Sequence, residues 1–170
     1  MSPDWQPTRR CRTPPAGPTV EVDGVPIAWW QVGAGPPIML VHGASASSMW
    51  WHAVLPRLAD HHRVIALDLS GHGDSGRRET YDVRRWSREV AGVVDAAGAD
   101  DVVLVGHSLG GRIAAITAAD RTDRVTGLVQ VDSFLRDPAR HVPHVFPPRR
   151  PVVHYPTFDE AAARFKLLPH

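Results

Sequence analysis

Between Thr19 and Val32 apolar residues alternate with polar ones on either side of Asp23-Gly24. An Asp-Gly pair between two alternating runs predicts a β-hairpin, because these residue types tolerate the positive φ angles of a tight turn. Beyond the breaker Gly33-Ala34-Gly35-Pro36-Pro37 the period changes. Ile38-Met39-Leu40-Val41 is apolar without interruption, as in a strand buried on both faces. From about Ser47 to Ala59, Trp50, Val54, Leu55 and Leu58 recur at spacings of three and four, which predicts a helix with those side chains inward. Val64-Ile65-Ala66-Leu67 is a second buried strand, ending at Asp68. Asp82 is placed to cap a helix that turns Trp86, Val90, Val93 and Val94 inward and closes near Gly98. Val102 to Val105 reads as a third buried strand, the segment around Ile113-Ala114-Ala115-Ile116 as a helix of small residues, and Gly127 to Val131 as a strand ending at Asp132.

This alternation of buried strands and helices predicts a mostly parallel sheet with helices on both faces, an α/β three-layer sandwich, since right-handed crossovers place successive helices against the sheet. Three regions follow: a Pro-rich solvated tail over residues 1–18, the α/β core over 19–133, and an irregular stretch over 134–170. In the last, Pro138, Pro143, Pro147, Pro148, Pro151 and Pro156 exclude regular sheet, and Asp159 to Leu168 alone reads as a helix.

Composition narrows the function class. The 170 residues, 43% hydrophobic and 22% charged, suit one globular domain with a sizeable core. A net charge of +1 with scattered arginines gives no footprint for a nucleic-acid backbone, so none is expected as a partner. No run approaches the ~20 apolar residues of a membrane span and no apolar segment follows the N-terminal charges, so a cytoplasmic protein without a membrane partner is expected. The lone Cys11 forms no internal disulfide and supplies no thiolate cluster.

Candidate chemistry sits at the ends of the buried strands. Gly106-His107-Ser108-Leu109-Gly110 lies between a strand and a helix. A turn sharp enough to hold Ser108 in strained geometry leaves no room for a Cβ at Gly106 or Gly110, and it displays the hydroxyl above the sheet edge at a helix N-terminus. The bland alternative is a serine that merely caps the helix. His42-Gly43-Ala44 closes the neighbouring strand, where the Ala44 N–H can be aimed at the same point as the Leu109 N–H; two such donors make an oxyanion hole. His42 itself is read as a hydrogen-bonded structural residue, and His107 as directed away from Ser108. Asp68, Gly71, His72, Gly73, Asp74 and Ser75 are read as a loop held by hydrogen bonds in preference to a metal site. Asp132 either orients a catalytic histidine or caps local N–H groups.

VHGAS at 41–45, DLSGHGDS at 68–75 and GHSLGG at 106–111 stand in the order and spacing of the α/β-hydrolase family, and the segment from about Thr19 to Ser133 resembles its N-terminal part. The resemblance implies a Ser-acid-His triad with Ser108 as nucleophile, an oxyanion hole from Ala44 and Leu109, a small-molecule substrate, and neither cofactor nor metal. It implies cleavage of esters, lactones, amides or activated C–C bonds, and it argues against epoxide hydrolases and haloalkane dehalogenases, which place aspartate at the elbow. The family continues through a helical cap and two more strands, the triad acid commonly following the seventh and the histidine the eighth, and residues 134–170 resemble only the opening of such a cap. The expectation is therefore a fold incomplete at its C-terminal side and an impaired hydrolase that associates through an uncovered sheet edge. The alternatives are a non-catalytic fragment that binds a small apolar ligand or a partner, and a C–C hydrolase or cofactor-free haloperoxidase of the same fold.

Overall fold

The computed structural model describes residues 17–133 and 155–164. The chain divides into two compact units, residues 1–135 and 136–170. The expectations for residues 1–16, Cys11 among them, and for most of 134–170 lie outside the described residues.

The first unit opens with the expected hairpin, β1 (Thr19–Val22) and β2 (Val25–Val32). Its turn is Asp23-Gly24, with φ of 49° and 74°, the double left-handed geometry for which that pair is suited. β3 (Pro37–Val41) and β4 (Arg63–Leu67) pair in parallel, and β2 joins β4 antiparallel. β5 (Val102–His107) runs parallel to β3 on its other side, and β6 (Val125–Val131) follows parallel to β5. The sheet order is β1-β2-β4-β3-β5-β6.

The uninterrupted apolar runs are explained by two cores. Met39, Val41, Ile65 and Leu67 face one core, shared with Trp86, Val90, Val93 and Val94. Ile38, Leu40, Val64 and Ala66 face the other, with Trp51. Helix α1 (Leu55–Ala59) lies on this second side, and α2 (Val83–Ala96) and α3 (Leu109–Asp120) on the first, which completes the three layers. Asp82 caps α2 as expected, its carboxylate accepting the Arg85 N–H at 2.8 Å.

One expected helix is corrected. Residues 48–51 form a short 3-10 turn, and the α-helical part is confined to Leu55–Ala59 with Pro56 in its first turn. Pro56 has no N–H to donate and its ring clashes with the preceding turn, so a helix cannot run through from Ser47. Leu55 and Leu58 do pack against the core, but Trp50 and Val54 stay exposed. In the second unit α4 (Phe158–Arg164) overlaps the expected helix; Thr157 accepts the Glu160 N–H at 3.2 Å. Among the described residues no helix is long and apolar enough to cross a membrane.

Candidate active site

Ser108 stands between β5 and α3 with φ 51° and ψ −116°, a conformation that L-residues avoid at a cost of about 1–3 kcal/mol. The glycines around it are spatial necessities. A Cβ on Gly106 would run into the Gly110 backbone, and one on Gly110 into the carbonyl oxygens of Val41 and His42. The start of α3 is thereby pressed against the end of β3, which could not happen with any side chain at either position. The helix-capping alternative fails, because the Ser108 side chain makes no cap hydrogen bond. Ser108 is half-buried at the N-terminus of a twelve-residue helix, where the helix dipole favours developing negative charge.

The loop after β3 lies beside this turn. Val41 is in register with Gly106, so His42-Gly43-Ala44 leaves the sheet next to His107-Ser108-Leu109. Gly43 is buried against the His107 ring, Ala44 is exposed, and Ser45 has φ 56°, so the chain bends sharply just after Ala44. The segments carrying Ala44 and Leu109 are thus adjacent.

His42 is wholly buried and structural in its bonding. The Leu69 N–H donates to Nε2 at 3.1 Å, so Nε2 carries no proton, and Nδ1–H donates to the Gly43 carbonyl at 2.8 Å. Burial pushes its pKa down to about 4, which keeps the ring neutral. With both nitrogens engaged it cannot act as a base. His107 turns its ring onto Gly43 and stacks on Trp50 at a centroid distance of 4.9 Å. His72 packs against His42 and Trp86, with Nδ1 3.2 Å from the Ser70 carbonyl. Among the described residues no histidine is hydrogen-bonded to the Ser108 hydroxyl.

The 68–75 loop is held by hydrogen bonds, as expected. Asp68 accepts the Ser48 N–H at 2.6 Å and the Asp74 N–H at 2.9 Å, and its carbonyl accepts the Ser75 hydroxyl at 2.5 Å. Ser75 in turn accepts the Ala28 N–H at 2.8 Å. Both carboxylate oxygens are committed to backbone donors, and among the described residues no group of acidic, histidine or cysteine side chains is arranged for a metal.

Asp132 directly follows β6, with φ 49°, and is exposed. Its neighbours hold the turn that carries Ser108: the Ser108 N–H donates to the Val131 carbonyl at 2.9 Å, and the Ser133 hydroxyl donates to the Ser108 carbonyl at 2.7 Å. The sequence carried no sign of Ser133, because its partner lies 25 residues away. It was equally silent on Arg78 and Glu89, a buried pair at 2.9 Å that ties the loop after β4 to α2.

A family model described as "alpha/beta hydrolase fold" matches residues 36–163. The 2-hydroxy-6-oxo-2,4-heptadienoate hydrolase of Pseudomonas putida is 39% identical over 118 residues, which are 66% of this chain and 43% of that one. A solved N-acyl homoserine lactone degrading enzyme superposes with a TM-score of 0.66 at 35% identity, covering 68% of this chain and 45% of that one. A solved meta-cleavage product hydrolase gives 0.64 at 32% identity, covering 69% and 45%. The chain spans less than half the length of these relatives.

Proposed function

Because this chain belongs to the α/β-hydrolase fold family, we propose that it acts as a serine hydrolase on an ester-like small molecule, with Ser108 as the nucleophile. The observation that carries this reading is the strained backbone of Ser108, with its hydroxyl left out of helix capping. In the proposed step Ser108 Oγ forms a bond to the substrate carbonyl carbon while its proton passes to a base. The carbonyl oxygen becomes an oxyanion that accepts the Leu109 and Ala44 N–H groups. Collapse of this intermediate expels the alcohol, which takes up a proton, and water then hydrolyses the acyl-serine. Asp132 is assigned as the acid that orients the base. No described histidine is given the base's role, so turnover by the 170-residue chain is expected to fall far below the ~10 s⁻¹ typical of enzymes.

The test is covalent. Incubation with p-nitrophenyl acetate is expected to acetylate Ser108, located by peptide mass, with no acetylation in Ser108→Ala. Acetylation confined to other groups, such as the single lysine Lys166, and equal in both proteins, would sink the assignment and favour a non-catalytic binding fragment.

A second reading is favoured by the 39% identity to the heptadienoate hydrolase: the same serine opening a C–C bond next to a ketone. Loss of the conjugated chromophore of 2-hydroxy-6-oxo-2,4-heptadienoate, faster than ester cleavage and dependent on Ser108, would select it.

A further inference from the structure

We propose that Ser133 is the positioning residue of the nucleophile turn: its hydroxyl grips the Ser108 carbonyl and holds Ser108 in the strained conformation that presents its own hydroxyl. The proposal rests on the reading of Ser108 as nucleophile. A non-glycine residue at φ 51° and ψ −116° persists only when its surroundings over-determine it. Here the surroundings can be named. The Ser108 N–H is fixed by the Val131 carbonyl at 2.9 Å. The Ser108 carbonyl accepts the Gly111 N–H at 3.1 Å, an ordinary helix-start contact, and the Ser133 hydroxyl at 2.7 Å. Relaxing ψ towards a common basin would swing that carbonyl off Ser133. The Ser133 bond therefore opposes the motion by which the strain would be lost.

Two further features serve this contact. Asp132 takes a left-handed φ of 49° between Val131 and Ser133, so the chain doubles back and both neighbours face the same residue. Gly111 leaves the space that Ser133 fills, because a Cβ there would overlap the Ser133 Cβ and Oγ. Gln130 adds a second stitch, its Nε2–H donating to the Gly111 carbonyl at 2.9 Å. The end of β6 thus holds residues 108 to 111 at three points, and one of them, Ser133, reaches the nucleophile's own carbonyl from a side chain.

The experiment compares the full 170-residue chain with Ser133→Ala, Ser133→Thr and Gly111→Ala. Acetylation of Ser108 is followed over a range of p-nitrophenyl acetate concentrations, with amide hydrogen exchange measured on the same proteins. Ser133→Ala is expected to lower the maximal acetylation rate about tenfold while the half-saturating concentration stays within about twofold. Ser133→Thr, which keeps the hydroxyl, should restore the rate, and Gly111→Ala, which ejects Ser133, should resemble Ser133→Ala. The Ser108 and Leu109 amides should exchange faster in Ser133→Ala. Acetylation at the wild-type rate in Ser133→Ala, or a Ser133→Thr protein as slow as Ser133→Ala, would overturn the proposal. If wild-type Ser108 takes no acetyl group, the nucleophile assignment has failed. Exchange then decides the tether alone, and unchanged exchange in Ser133→Ala overturns it.

Discussion

At position 42 a histidine has been turned into a neutral structural element. Burial is the main cause of its lowered pKa, about 4, with His72 lowering it further, while the Gly43 carbonyl and Asp68 act in the opposite direction. In the unfolded chain the ring titrates near its ordinary value of about 6.5. Between those two values the unfolded state takes up a proton that the folded state refuses, so stability falls as the pH drops from about 6.5 towards 4, by about 3 kcal/mol in all. His42→Gln should remove that component and flatten urea-derived stability plotted against pH between 7 and 4; a mutant as steep as the wild type would contradict the assignment. Ser108 shows what was legible at this scale. Its strain follows from a local spacing of glycines, whereas the hydroxyl of Ser133 that holds it is visible only after the chain folds.

Among the elements, the contact joining the loop after β4 to α2 is the most exacting. Glu89 on α2 is fully buried and accepts the Ser70 N–H at 2.8 Å and the Arg78 Nε–H at 2.9 Å, while Arg78 also donates to the carbonyls of Val22 and Asp23 in the hairpin. Arg78→Met would leave the Glu89 carboxylate buried without its cation, and should cost about 3–5 kcal/mol of unfolding free energy in urea titration. Adding Glu89→Leu should recover part of that loss, because the stranded charge goes with it. A double variant less stable than Arg78→Met would show that the carboxylate's bond to Ser70 outweighs its isolation. The strands were legible because burial on both faces imposes continuous apolar runs and alternating residues serve two cores. The segment 47–59 misled because Trp50 and Val54 mimic a helical period that Pro56 interrupts. The Arg78–Glu89 pair could not be read, since two charges in a polar loop and a helix look solvated until packing encloses them.

Over the whole molecule, β6 differs from the other parallel strands. It pairs with β5 on one side and with no described strand on the other, and Leu128, Val129 and Val131 are 38%, 47% and 43% exposed. Exposed consecutive residues point to opposite faces, so neither face is fully covered. An open apolar edge is a template for another strand, and we expect two copies of the 170-residue chain to pair through it. Light scattering after size exclusion should show a concentration-dependent dimer or larger species that Val129→Lys disperses; a sharp monomer at micromolar concentration would contradict this. The proposed chemistry nevertheless depends on Ser108 and not on the edge. The most direct measurement is prolonged incubation with a fluorophosphonate followed by peptide mapping. A single adduct on Ser108, absent from Ser108→Ala, is the predicted result, and no adduct, or one carried by another residue, would contradict it.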